Sequence, residues 1–158
     1  MRTTEGTFEC GDVLLQRGGT LKGAKIVYKT FGTLSPRRDN VIVYPTSYGA
    51  QHTDIEWLVD VRHCLDPSRY FVVIPNMFTN GLSSSPSNTP GEFPEVTTFD
   101  NVMQQRRLLA EQFGVIVLAP ESRDITWGQE IPGFDTDSRF IGMAFRWVAE
   151  VLTIDRSK

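Results

Sequence analysis

Three short apolar runs constrain this chain more than any other feature: "VIVYP" (41–45), "YFVVIP" (70–75) and "VIVLA" (115–119). A brief, continuous, β-branched run suits a strand buried on both faces of a sheet, because a half-wet strand would alternate apolar and polar residues. Helical patterns separate the runs. In "TTFDNVMQQRRLLAEQFG" Thr98 is the expected cap, Val102, Gln105, Leu109 and Phe113 lie along one stripe, and Gly114 is the stop. Thr53 or Asp54 is expected to cap a shorter helix carrying Ile55, Leu58 and Val59. A last helix is expected in "SRFIGMAFRWVAEVL", with Phe140, Ile141, Ala144, Phe145, Val148, Val151 and Leu152 on a wide apolar stripe. Ahead of these elements, Thr7–Leu15 and Ala24–Phe31 read as two strands joined by the glycine-bearing turn "RGGTLKG". The expected class is α/β: an amino-terminal β-hairpin followed by a mostly parallel sheet covered by helices.

The 158 residues suit a single domain, 1–158. A composition of 40% hydrophobic and 22% charged residues argues against disorder. The net charge of −3 and the isolated pairs Arg37–Arg38 and Arg106–Arg107 argue against a nucleic-acid partner; the second pair is expected on a solvated helix face. No apolar run approaches the roughly 20 residues of a membrane span, and the first residues lack an apolar signal core. A cytoplasmic protein with no membrane partner is expected. Cys10 and Cys64 are expected to be free, partly buried thiols.

Ligands of open parallel sheets bind beyond the carboxyl ends of the strands, where three long polar loops begin: Pro45–Thr53, Pro75–Thr97 and Pro120–Asp137. None carries a G-x-G-x-x-G or a phosphate-binding glycine loop. His52 and His63 are the only histidines, without metal-ligand spacing, so neither metal nor cofactor is expected. "PTSYGAQHTD" enters a helix from a strand end, and its N–H groups suit either a plain turn or an anion site. The hydroxyls of Ser83, Ser84 and Ser85 suit a solvated turn better than a nucleophile, since no base lies nearby in sequence. Asp135 and Asp137 stand where helix caps belong.

The segments "YKTFGTLSPRRDNVIVYPTSYGAQHTDIEWL" and "LDPSRYFVVIPNMFTNGLSSSPSNTPGEFPEVTTFDNVMQQRRLLAEQFGV" resemble the amino-terminal part of the homoserine O-acetyltransferase-like α/β-hydrolases, over roughly residues 8–115. The resemblance implies a partial α/β-hydrolase fold and a Ser-Asp-His acyl-transfer ancestry. It also implies an oxyanion donor at the backbone of Thr46 or Ser47. Tyr48, His52, Asn76, Ser83, Ser84 and Ser85 become candidate site-lining residues, and a small-molecule acyl ester or thioester the candidate substrate. "PTS" stands where the acetyltransferases carry a His-Ala-Leu-type segment, so an acyl hydrolase is at least as well supported as homoserine acetylation.

Residues 115–158, "VIVLAPESRDITWGQ" through "TIDRSK", instead resemble the segment before the nucleophile in carboxylesterases of the dienelactone-hydrolase or polyhydroxybutyrate-depolymerase kind. A join near 114–115 is therefore expected. The 158 residues contain no G-x-S-x-G, and Ser122 is flanked by Glu121 and Arg123 rather than the small residues a strained elbow needs. The expectation is a hydrolase-like chain with little or no turnover by itself. The alternative is a binding module that completes its sheet as a homo-oligomer or with a complementing polypeptide.

Overall fold

The structure is a computed structural model and describes residues 2–47 and 49–115. These belong to one compact unit, Met1–Val117. The run 116–119, the loop 120–137, the last expected helix, the expected join's carboxyl-terminal side and the esterase-like segment lie outside the described residues, as does Tyr48.

The expected hairpin is present and longer than its apolar pattern. Strand β1 (Thr3–Leu14) and strand β2 (Thr20–Phe31) pair antiparallel. The turn is confined to Leu15–Gly19, where Gly18 N–H donates to Leu15 O and Leu15 N–H to Gly19 O. Strand β3 (Val41–Val43) lies parallel to strand β4 (Phe71–Pro75), and β4 pairs antiparallel with β2. The order is β1-β2-β4-β3. The described part of the sheet is thus mixed: β3 and β4 are parallel as expected, and the hairpin joins them antiparallel through β2.

Every residue of β4 is buried, as its unbroken apolar run requires. Phe71 and Val73 pack with Leu109 on one face, while Val72 and Ile74 pack with Phe31, Val59 and Leu65 on the other. Strand β3 is only half-buried among the described residues, contrary to expectation. The face of β2 bearing Ile26 and Tyr28 joins Phe8, Val13, Leu21, Phe78 and Leu108 in the hairpin core.

The short helix α1 (His52–Ile55) starts one or two residues before the expected cap, with Gln51 as N-cap, and continues as a 3-10 turn, Glu56–Leu58. Helix α2 (Thr98–Phe113) is capped by Thr97, whose Oγ1 accepts from Asp100 N–H. Asp100 closes the box by accepting from Thr97 N–H at 2.8 Å. Gly114 ends the helix in the left-handed region at φ 63°.

The buried face of α2 differs from the expected stripe. Val102 is exposed, and Asp100, Asn101, Gln104, Gln105, Leu108 and Leu109 turn inward. Polar partners explain the shift: Asp100 accepts from Gln16 N–H at 2.8 Å, and Asn101 accepts from Phe78 N–H at 2.7 Å. Arg106 is exposed as expected, whereas Arg107 is half-buried. Its guanidinium donates to Cys10 O at 3.1 Å and lies over the Phe8 ring, tying α2 to the hairpin. Cys10 is buried as expected, whereas Cys64 is exposed; both thiols are free.

Gly32 follows β2 at φ 82°. A Cβ there would lie 2.6 Å from Pro67 O and would collide with Tyr70 O, so the backbone approach leaves room for hydrogen alone.

Candidate functional site

Because β3 and β4 run parallel, their carboxyl ends release two loops side by side. The first keeps the ladder going beyond β3. Tyr44 N–H donates to Val73 O at 2.9 Å, and Thr46 N–H donates to Pro75 O at 3.2 Å. Thr46 is buried, and its Oγ1 accepts from Met77 N–H. Its own amide is therefore committed to the sheet, and of the two oxyanion candidates only Ser47 retains an N–H without an acceptor among the described residues. Ser47 is exposed at the top of the strand, and its carbonyl accepts from Ala50 N–H in a tight turn.

Asn76, the residue after β4, is fully buried and uses every polar atom. Its Nδ2 donates to Val27 O at 2.8 Å, and its Oδ1 accepts from His52 N–H at 3.0 Å and from Asn80 Nδ2 at 2.9 Å. Its Nδ2 also faces His52 Nδ1 at 3.0 Å. One amide thus joins β2, α1 and the loop after β4. Burial of so polar a group is tolerated only when each atom has a partner.

The serine loop is not a solvated turn. Ser83, Ser84 and Ser85 are almost fully buried. Strand β4 ends opposite Tyr28, leaving the amides of the preceding β2 residues without a strand partner on that side. The serines supply one. Ser83 Oγ accepts from Val27 N–H at 3.0 Å, and Ser84 Oγ accepts from Lys25 N–H at 2.9 Å while Ser84 N–H donates to Lys25 O. Ser83 Oγ also donates to Asn76 O, and Ser85 Oγ donates to Ser83 O and accepts from Gly81 N–H. The Ser83 and Ser84 hydroxyls therefore stand in for a missing stretch of strand, and the Ser85 hydroxyl braces the loop that carries them.

His52 opens α1 and is buried. Its Nε2 lies 3.5 Å from both Glu5 Oε1 and Glu56 Oε1. Lys29 Nζ sits between the same carboxylates, 2.7 Å from Glu56 and 3.1 Å from Glu5. The Lys29 ammonium holds the Glu5 carboxyl below its ordinary range. The hydrogen bond to Glu56 raises Lys29 in turn, against the opposing effect of burial. Among the described residues, neither ring nitrogen of His52 meets a serine hydroxyl, and no cluster of side chains could hold a metal ion.

The structure thus brings Thr46, Ser47, His52, Asn76 and Ser83–Ser85 to one end of the sheet, with the loop residues bonded mainly to backbone. Sequence reasoning missed Asn80, Asn88 and Asn101. Asn80 Nδ2 donates to Ala50 O, linking the two loops, and Asn88 Oδ1 accepts from Ser85 N–H. The signal for Asn80 and Asn88 was the "NGLSSSPSN" pattern, in which Asn and Ser characteristically bond local backbone; Asn101, inside α2, had no such signal. The Glu5–Lys29–Glu56 group had none, since its members are far apart in the chain.

A hairpin entering a mixed sheet in the order β1-β2-β4-β3, with loops gathered at the parallel strand ends, is part of an α/β-hydrolase fold. The solved acetylester hydrolase of Corynebacterium glutamicum superposes with a TM-score of 0.66 and 37% identity, covering 70% of this chain and 34% of that one. Over this amino-terminal part the chain is homologous to esterases and homoserine O-acetyltransferases. A probable esterase of Corynebacterium glutamicum is 38% identical over 119 residues, spanning 71% of this chain and 34% of the relative. A homoserine O-acetyltransferase of Thermobifida fusca is 30% identical over 122 residues, spanning 64% of this chain and 32% of the relative. The chain therefore spans about a third of the length of the curated relatives it matches. No family model matches it. Among the described residues, no helix is long and apolar enough to cross a membrane.

Proposed function

We propose that residues 8–115 form the oxyanion-side half of an ester-processing site, with the Ser47 N–H as the donor to an acyl oxygen. The observation that carries this reading is the contrast between Thr46, whose amide is bonded to Pro75 O, and Ser47, whose amide lies at the exposed strand end. A free backbone donor next to an amide anchored in the ladder suits stabilisation of developing oxyanion charge. Homology to esterases and to acetyltransferases supports a small acyl ester or thioester as the substrate class.

These 158 residues are expected to turn over such esters slowly or not at all, since they hold no G-x-S-x-G and the Ser83–Ser85 hydroxyls are bonded to backbone. Oxyanion groups alone give only residual catalysis. A serine-reactive fluorophosphonate probe tests this. Absence of labelling is the expected result, and strong labelling of one serine would overturn it. A second reading, a module that binds another polypeptide, draws on the exposed apolar side chains Trp57 and Val61. Light scattering showing a stable monomer would count against it.

A further inference from the structure

We propose that His52 is a proton-sensitive lock between α1 and the loop after β4, closed only when its imidazole is neutral with the proton on Nε2. The assignment comes from counting donors. Asn76 Oδ1 already receives His52 N–H and Asn80 Nδ2, and Asn76 Nδ2 already donates to Val27 O. Turning the amide over would set its NH2 against two N–H donors and its oxygen against a carbonyl. The amide is therefore fixed, and the group it presents to His52 Nδ1 at 3.0 Å is a donor. Nδ1 must then be the bare acceptor nitrogen, and Nε2 must carry the hydrogen.

A second proton could enter the ring only at Nδ1, where N–H would face N–H. The bond to Asn76 would break. The charged groups facing the ring are Glu5 on β1, Lys29 on β2 and Glu56 on the 3-10 turn. Glu5, held ionised by Lys29, remains available to an imidazolium as acidity rises. Protonation thus removes the amide partner on Nδ1 while the contact of Nε2–H with the carboxylates is kept, and the ring is released from Asn76. The amide that loses its ring partner also anchors Asn80, which holds Ala50 O in the Ser47–Ala50 turn.

The test is nitrogen-15 NMR of the whole chain through the histidine titration range. His63 is an internal reference, because its Nδ1 faces Trp57 O at 3.1 Å and so carries the hydrogen when the ring is neutral. The expected result is opposite neutral tautomers for the two rings. The side-chain amide signals of Asn76 and Asn80 should move in step with His52 alone. Hydrogen-exchange protection of the His52 amide should fall about tenfold on protonation, the equivalent of one hydrogen bond. His52→Asn keeps a short acceptor facing Asn76 but cannot take a proton, so its amide signals should be insensitive to acid. An Nδ1–H tautomer at His52, or Asn76 and Asn80 signals that titrate equally in His52→Asn, would overturn the proposal.

Discussion

Replacing Ser83 by alanine separates a serine that acts chemically from one that substitutes for a strand. The hydroxyl accepts from Val27 N–H at 3.0 Å and donates to Asn76 O at 2.9 Å, at a residue with no exposed surface. Its removal deletes two hydrogen bonds, each worth about 0.5–1.5 kcal/mol net, and leaves a partly buried amide without its acceptor, a loss of about 1–3 kcal/mol. These descriptions overlap, and the summed effect should be about 2 kcal/mol, a factor of roughly 30 in the folded-to-unfolded ratio. The assay is urea unfolding followed by tryptophan fluorescence and circular dichroism, with Ser87→Ala as reference. Ser87 is exposed, and its replacement should stay within about 0.5 kcal/mol of the parent. A Ser83→Ala loss no larger than that of Ser87→Ala would refute the strand-substitute reading.

Asp100→Ala removes the cap box of α2 and the acceptor of Gln16 N–H, and should cost about 1–3 kcal/mol in the same unfolding assay. Burial would raise the Asp100 carboxyl, but the amides of Thr97 and Gln16 outweigh it and hold it below 3.8. Its contribution should therefore be present above that pH and disappear in stronger acid, so the stability difference between parent and Asp100→Ala should shrink there. Burial pushes the Cys10 thiol from 9.0 up to about 11. Its contribution to stability should be complete below pH 9.0 and decline towards pH 11, a fall that Cys10→Ala should lack. In the native chain an alkylating reagent should modify exposed Cys64 and reach Cys10 only on unfolding, which peptide mass spectrometry reads directly.

The strands were legible because burial leaves a direct mark. The run ending in Pro75 is apolar throughout and fully buried, and the alternation of Ile26 and Tyr28 with Val27 and Lys29 matches the two faces of β2. The Gly114 stop was equally plain, since few residues other than glycine rest at positive φ. The helix face was misread where polar residues turn inward. A hydropathy pattern places Val102 inside and Asn101 outside, yet Phe78 N–H needs the Asn101 acceptor and reverses that order. For the same reason the serines looked wet. Their partners, Val27 and Lys25, lie 56 and 59 residues away, and only the assembled sheet brings them together. Ser47 could be distinguished from Thr46 only once the ladder showed which amide it consumes.

Gly32 shows how far the candidate site depends on packing at the opposite end of the sheet. With no room for a side chain against Tyr70 and Pro67, this position fixes the height at which β2 meets β4. The register follows from there: Phe31 opposite Val72, Thr30 opposite Val73, Lys29 opposite Ile74, Tyr28 opposite Pro75. Asn76 then falls beside Val27, and the serines fall beside the amides they satisfy. A slip of one residue would turn each side chain of β2 to the other face. Gly32 is in effect the datum from which the loop chemistry is measured, so a bulkier residue there would misplace Asn76 and the serine loop without touching either.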